Sequence, residues 1–192
     1  MLNRKELNKK ILSLTLPNII TNTTVPLLGL VDTAIVGHIA DSGEKIDYIG
    51  AIAIGTMIFN FIYWNFGFLR MGTSGFTAQA YGAKDKEEQG NILFRACFIA
   101  FLSATLLISL QYPISRLCYI VIDDKNNVMD LAMQYFNIRI WAAFATLGMY
   151  ALKGWFIGLQ DSKTPMFISI FINVVNIIFS LLFVIKFNMK IK

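Results

Sequence analysis

The sequence is poor in charged residues, which make up only 15% of its 192 residues, whereas hydrophobic residues make up 56%. Soluble domains carry about 25% charged residues, and the mean hydropathy of +0.58 lies on the apolar side. One soluble core of this size could not bury so much apolar surface. The shortage of charge therefore excludes a disordered chain or a coiled coil, and it indicates a polytopic membrane protein.

Metal-binding and nucleophilic residues are also scarce, since the chain has one histidine and two cysteines. Cys97 and Cys118 lie in apolar surroundings without metal or redox spacing. There is no phosphate-binding loop of the type G-x-x-x-x-G-K-S/T and no Ser/His/Asp or Cys/His arrangement. These absences predict a protein that is not an enzyme, that hydrolyses no ATP, and that holds no cofactor and no metal centre.

The basic residues are scattered singly, although 17 Lys and Arg against 12 Asp and Glu give a net charge of +5. Nucleic-acid binding needs a concentrated basic face, so nucleic acid is not an expected partner. In membrane proteins such residues mark the cytosolic loops. We therefore predict an integral plasma (inner) membrane protein with a cytoplasmic N-terminus, and the following residues on the cytosolic side: Arg4, Lys5, Lys9, Lys10, Arg70, Lys84, Lys86, Lys153 and Lys163.

Apolar stretches long enough to cross a bilayer, for which about 20 residues are needed, occur five times. They cover residues 11–39, 49–69, 96–115, 131–152 and 166–185. Polar segments join them, and the longest inside loops are expected at 73–90 and 154–165. The sequence thus predicts an all-α fold with about five transmembrane helices.

Asp32 is the one acidic residue within the first apolar stretch. An ionisable side chain at such a place costs about 2.5–3.5 kcal/mol on insertion scales and by default marks a functional site. A carboxyl that faces a cavity can bind and release a proton or a cation. We predict that Asp32 is the ion-coupling residue, with H⁺ or Na⁺ as its ion. The alternative is a carboxyl held structurally by neighbouring helix hydroxyls or by a basic partner.

Two prolines, Pro17 and Pro26, interrupt the same stretch. Each removes a backbone hydrogen bond and favours a bend. Transporters bend helices around a central site, although membrane helices also contain prolines without a functional role. Asn18 and Asn22 share a helical face with Asp32, so they are predicted to line a chamber beside it.

A polar stripe runs through the fifth apolar stretch. Its spacing of four, three and four residues places all members on one helical face. Such stripes either hold helices together or line a watered cavity, and a stripe that runs the full depth favours the cavity. The members are Ser169, Asn173, Asn176 and Ser180.

Arg139 is the deepest cation of the fourth apolar stretch. It can snorkel toward the outer boundary or pair with an acid. Structural pairing is favoured over ligand binding.

Four segments resemble the N-terminal half of multidrug and toxic compound extrusion (MATE) transporters, and in particular their DinF-like branch. They are Leu16–Asn18, Val31–His38, Phe68–Ala83 and Gly158–Met166. They follow one another in the family's order over nearly the whole chain, and the third is highly specific.

The resemblance implies a twelve-helix antiporter built from two six-helix lobes. This chain would form most of the first lobe, and the sixth helix and second lobe would be missing. The resemblance also implies that the acid matching Asp32 binds the proton or cation and that the proline matching Pro17 bends its helix. Asn176 matches a family asparagine, but some relatives carry an acid four residues later, where this chain has Ser180.

The expected function is secondary active antiport that exports amphipathic or cationic drugs and other xenobiotics in exchange for H⁺ or Na⁺. Its expected partners are the lipid bilayer, these substrates and the second lobe. One alternative is a flippase for lipid-linked oligosaccharides, which should need several basic residues in the cavity, whereas Arg139 is the only one placed deeply enough by the sequence. The other is a membrane fragment that transports nothing.

Overall fold

A computed structural model describes residues 4–39, 45–121 and 128–187 of the chain. Within these ranges the chain forms eight α-helices, one short 3₁₀ turn and no strand. The elements are α1 (Arg4–Ile39), α2 (Lys45–Asn65), α3 (Gly67–Gly82), α4 (Lys86–Ser109), α5 (Gln111–Val121), α6 (Val128–Arg139), the 3₁₀ turn Ile140–Ala142, α7 (Ala143–Gly158) and α8 (Lys163–Phe187).

Five helical stretches are long and apolar enough to cross a membrane. They are Arg4–Val31, Tyr48–Gly82, Lys86–Ser109, Val128–Gly158 and Lys163–Leu182. The predicted all-α fold with about five spans is therefore confirmed for the described part of the chain, which is a multi-pass membrane protein.

The inside loop expected at 73–90 is wrong over most of its length, because α3 continues as a helix to Gly82 and α4 begins at Lys86. Its buried residues recur every three or four positions and pack it against its neighbours, so the glycines of this segment do not make a loop. The buried residues are Leu69, Thr73, Thr77 and Ala80. The turn itself is short: Lys84 adopts a positive φ of 60°, and the Asp85 side chain accepts a hydrogen bond of 2.9 Å from the Glu88 backbone N–H and caps α4.

The loop expected at 154–165 also begins too early, because α7 continues to Gly158. A Cβ atom on Gly154 would lie 2.5 Å from the Arg70 carbonyl oxygen, and one on Gly158 would lie 2.5 Å from Thr77 Cβ. The two glycines therefore permit backbone contact between α3 and α7, the close approach that small residues allow in membrane helices.

The helices form two groups. In the first, α2 packs on α6, α3 packs on α7, and α4 packs on both α3 and α7. Small side chains fill the α3–α4–α7 interface, including Ala96, Ala100, Ala104 and Ala151. In the second group α1 packs mainly against α8. This α1–α8 pair contains most of the side chains that the sequence assigns to a chamber.

Candidate functional site

The α1–α8 pair is the candidate functional site. Asp32 and Pro26 lie within α1, but their side chains fall outside the described part of the structure. Helix α1 is continuous from Arg4 to Ile39 and includes both prolines. Asn22 is exposed, so its side chain is available to a chamber but is not packed against the rest of the site.

One end of the site joins α1 to the loop before α8. Pro17 is buried, and its carbonyl oxygen accepts a hydrogen bond of 2.9 Å from the Thr21 hydroxyl. Asn18 Nδ2 donates to the Leu14 carbonyl at 3.1 Å and to Ser162 Oγ at 3.3 Å. Ser162 is itself buried. The position where Pro17 interrupts the backbone ladder is therefore tied by a side chain to the start of α8.

The α8 stripe divides into a buried N-terminal half and a more open C-terminal half. Ser169 is 5% exposed, and α1 is the principal neighbour of α8. Asn173 is half-buried, whereas Asn176 is exposed. The Ser180 hydroxyl donates to Asn176 Oδ1 at 3.3 Å, so the two C-terminal members pair with each other.

Two polar atoms of the N-terminal half, Ser169 Oγ and Asn173 Nδ2, are buried and have no hydrogen-bond partner among the described residues. A buried polar atom left unpaired costs about 1–3 kcal/mol, which a water, an ion or a ligand can offset. These two atoms can therefore bind a polar group that enters the site.

Asp161 caps the N-terminus of α8. Its Oδ1 accepts hydrogen bonds from the backbone N–H groups of Lys163 and Thr164 at 3.0 and 3.1 Å, and its Oδ2 accepts one from the Thr164 hydroxyl at 2.5 Å. The hydroxyl bond, with support from the backbone bonds, lowers the pKa of Asp161 below its ordinary value. These hydrogen bonds fix the start of α8, and they thereby orient Ser169, which lies about two turns further along the helix.

Arg139 is held by aromatic side chains and not by an acid of the described residues. Its Nη1 donates to the Tyr135 hydroxyl, and its Cζ lies 5.1 Å from the centre of the Phe59 ring and 5.3 Å from that of Tyr135. Both distances are within the range of a cation–π interaction. The side chain remains exposed, so the guanidinium is oriented and still accessible.

Sequence reasoning missed a second polar row, on α7. Thr146, Tyr150 and Lys153 are all half-buried, and Tyr63 and Arg70 of the α2–α3 stretch lie beside them. The signal was available, because residues 146, 150 and 153 are spaced by four and three and fall on one helical face. Lys153 was instead assigned to a cytosolic boundary.

Comparison with known proteins matches the MatE family to residues 17–182. The chain is 34% identical over 185 residues to DNA damage-inducible protein F of Escherichia coli, covering 96% of this chain and 39% of that protein. It is 26% identical over 200 residues to Protein DETOXIFICATION 44, chloroplastic, of Arabidopsis thaliana, covering 96% of this chain and 37% of that protein. Over 176 residues it is 23% identical to the probable multidrug resistance protein NorM of Thermotoga maritima, covering 90% of this chain and 36% of that protein.

A solved structure has the same fold. A MOP superfamily transporter from Pyrococcus furiosus superposes with a TM-score of 0.83 at 21% identity, covering 95% of this chain and 39% of that one. The chain thus spans less than half the length of these relatives. The resemblance read from four sequence segments is confirmed, and the chain belongs to the MatE family, the multidrug and toxic compound extrusion transporters.

Proposed function

We propose that the full-length protein is a secondary active exporter of amphipathic compounds, drugs and other xenobiotics among them, and that it takes up H⁺ or Na⁺ in exchange. The observation that carries this proposal is the pair of buried, unpartnered polar atoms at Ser169 and Asn173. They lie on the helix that packs against the helix containing Asp32. A relative named as a probable multidrug resistance protein supports drug efflux, while the preference for cationic substrates rests on the family resemblance alone.

In this proposal Asp32 binds the coupling ion and α1 changes shape when the ion leaves. Pro17 and Pro26 weaken the backbone ladder of α1 and so permit bending. Asn18, Asn22 and the α8 stripe line the chamber in which the substrate and the ion are received. A ligand shifts such an equilibrium only by binding the outward-facing and inward-facing states with different affinity.

Transport by the full-length protein in proteoliposomes tests the function. With an amphipathic fluorescent dye on the side from which it is exported, an opposing H⁺ or Na⁺ gradient should drive dye across the membrane without ATP. Collapse of the gradient with an ionophore should return the rate to that of protein-free liposomes. Dye movement that is unaffected by either gradient would contradict the proposal.

The chamber makes a separate prediction about accessibility. Single cysteines at Asn173 and Asn176 of the full-length protein should react with a small, membrane-impermeant thiol reagent, because both positions lie on the polar stripe. Cysteines at Phe171 and Val174, which are exposed on the apolar side of the same helix, should face lipid and react several-fold more slowly. Equal reaction rates at all four positions would contradict a watered chamber.

Orientation in the membrane is also part of the proposal. We place the N-terminus and the turn after α3 in the cytosol of a plasma (inner) membrane protein, because Lys and Arg concentrate on that side. A cysteine at Ala83, which is exposed in this turn, should be labelled in inside-out vesicles but not from outside intact cells. Efficient labelling from outside would reverse the orientation.

A further inference from the structure

The polar row on α7 faces away from α4. On the opposite face of α7 the Phe144 ring packs 5.1 Å from the ring of Phe101 of α4, and Trp155 Nε1 donates to the Gln89 carbonyl of α4 at 2.9 Å. At 3.6 residues per turn, Thr146, Tyr150 and Lys153 lie roughly half a turn from Phe144 and Trp155. The row therefore lies on the side of α7 that faces away from α4, next to the α2–α3 stretch.

The α2–α3 stretch adds matching side chains to this row. Tyr63 and Tyr150 pack against the same apolar cluster, Tyr63 lies near Thr146, and Arg70 lies near Tyr150 and Lys153. The backbones of α3 and α7 also meet beside Arg70 and Lys153, since a Cβ on Gly154 would lie only 3.2 Å from Arg70 Cα. Two cations are thereby brought close together.

The same row reaches Arg139 at its outer end. The Phe59 ring stacks on Tyr63 with 5.6 Å between ring centres, and the Arg139 guanidinium lies over the same Phe59 ring. A cavity of about 120 Å³ opens beside Arg139 between α2 and α6. Its polar lining consists of Tyr48, Gln134, Tyr135 and Arg139, and the remainder is apolar.

The charges of this row are of one sign. The ion pair found among the described residues, Arg95 with Glu88 at 3.1 Å, lies at the start of α4 and not in this row. Arg70, Lys153 and Arg139 thus place three positive charges along the row. Like charges repel one another, and a bound anion offsets that repulsion.

We infer that this row binds the acidic group of an anionic amphiphile, with Arg139 and the cavity beside it as the outer position and the Arg70–Lys153 pair as the inner position. The inference rests on the proposed function and narrows its substrate class. Lys153 lies 14 residues from Arg139, about 21 Å along the helix, which is about two thirds of a hydrocarbon core. The hydroxyl groups of Tyr63 and Tyr150 occupy the interval and can donate hydrogen bonds to an anion between the two positions, whereas the Thr146 hydroxyl donates to the Ala142 carbonyl at 3.0 Å.

Apolar side chains that can contact the rest of the ligand lie beside the outer end of this row. Apolar side chains make up the rest of the lining of the outer cavity, with Ala51, Ile52 and Leu131 among them. A phosphate, sulfate or carboxylate with an alkyl or ring portion matches this combination, because guanidinium and ammonium groups recognise such oxygens through charge-assisted hydrogen bonds. A quaternary ammonium compound would meet three like charges along this row.

Binding of two probes with opposite headgroups tests the inference. The full-length protein in nanodiscs of zwitterionic lipid is titrated with dodecyl phosphate and, separately, with dodecyltrimethylammonium. We expect tighter binding of the phosphate. Arg139→Gln and Lys153→Gln should each raise its Kd about tenfold or more, the effect of losing one hydrogen bond to a charged group.

Matched variants distinguish the effect of losing a charge from the effect of damaging the fold. Arg95→Gln removes a cation outside this row and should leave both Kd values unchanged, whereas Lys153→Arg retains the charge and should retain most of the phosphate affinity. Thermal unfolding of each variant shows whether it is folded. Tighter binding of the ammonium probe by the wild type, or an equal loss in Arg95→Gln, would overturn the inference.

An exported amphiphile and a resident acidic lipid present the same headgroup chemistry, and transport distinguishes them. Gradient-driven movement of dodecyl phosphate identifies a substrate. Charge-dependent binding that is competed by phosphatidylglycerol in the nanodisc, without transport of the probe, identifies a lipid. Binding without transport of any compound leaves the anion site standing while the proposed export function fails.

Discussion

Asp32→Asn is expected to abolish gradient-driven export by the full-length protein while leaving its membrane insertion and folding intact. The amide keeps the size and the hydrogen-bonding capacity of the carboxyl but neither gains nor loses a proton, and it carries no charge for Na⁺. Without a group that binds the ion with different affinity in the two states, the ion gradient cannot drive the change between them. The measurement is dye export in proteoliposomes under an imposed H⁺ or Na⁺ gradient, alongside thermal unfolding of the purified variant.

Two further variants make this test more specific. Asp32→Glu retains a titratable carboxyl and should keep partial activity with a shifted pH optimum. Asp130→Asn is the matched control, because Asp130 is an exposed carboxylate that accepts a hydrogen bond of 2.8 Å from the Tyr119 hydroxyl, and the amide oxygen preserves that bond. Export at the wild-type rate by Asp32→Asn would show that Asp32 is structural.

The sequence predicts spans and faces well because both follow from side-chain periodicity and apolar length. The spacing of the α8 stripe places Ser169 and Asn173 on one face, and the structure leaves a polar atom of each buried without a partner among the described residues. Burial of Ser169 beside exposed Asn176 could not be predicted, since it depends on how far α1 covers α8.

The ends of the helices were predicted less well. The length of an apolar stretch reflects the thickness of the bilayer, whereas the helix itself can continue beyond that stretch. α3 extends to Gly82 through Thr73 and Thr77, whose burial depends on neighbours that are distant in sequence. For the same reason the sequence did not predict that Arg70 lies near Lys153. Each residue was interpreted as a cation at the membrane boundary, and only the contact between α3 and α7 brings them together. Gly154 and Gly158 looked like loop residues for the same reason.

The packing of α3 on α7 gives the second large expected effect. Gly158→Ala should destabilise the protein by about 1–3 kcal/mol, the usual cost of overpacking. The added Cβ would lie 2.5 Å from Thr77 Cβ and 2.8 Å from the Ser74 carbonyl oxygen. Neither atom is the end of a flexible side chain, so the two helix backbones themselves must move apart.

Gly148→Ala is the matched control for this variant, because Gly148 lies in the same helix and a Cβ there has no atom within 4 Å. Replacing glycine by alanine within a helix otherwise favours folding by about 0.5–1 kcal/mol, since the unfolded chain loses conformational freedom. The two variants should therefore shift Tm in opposite directions in the same detergent or nanodisc, Gly158→Ala downward and Gly148→Ala slightly upward. A Tm for Gly158→Ala equal to or above that of Gly148→Ala would show that α3 and α7 do not make this backbone contact in the membrane, and the pairing of Arg70 with Lys153 would lose its structural basis.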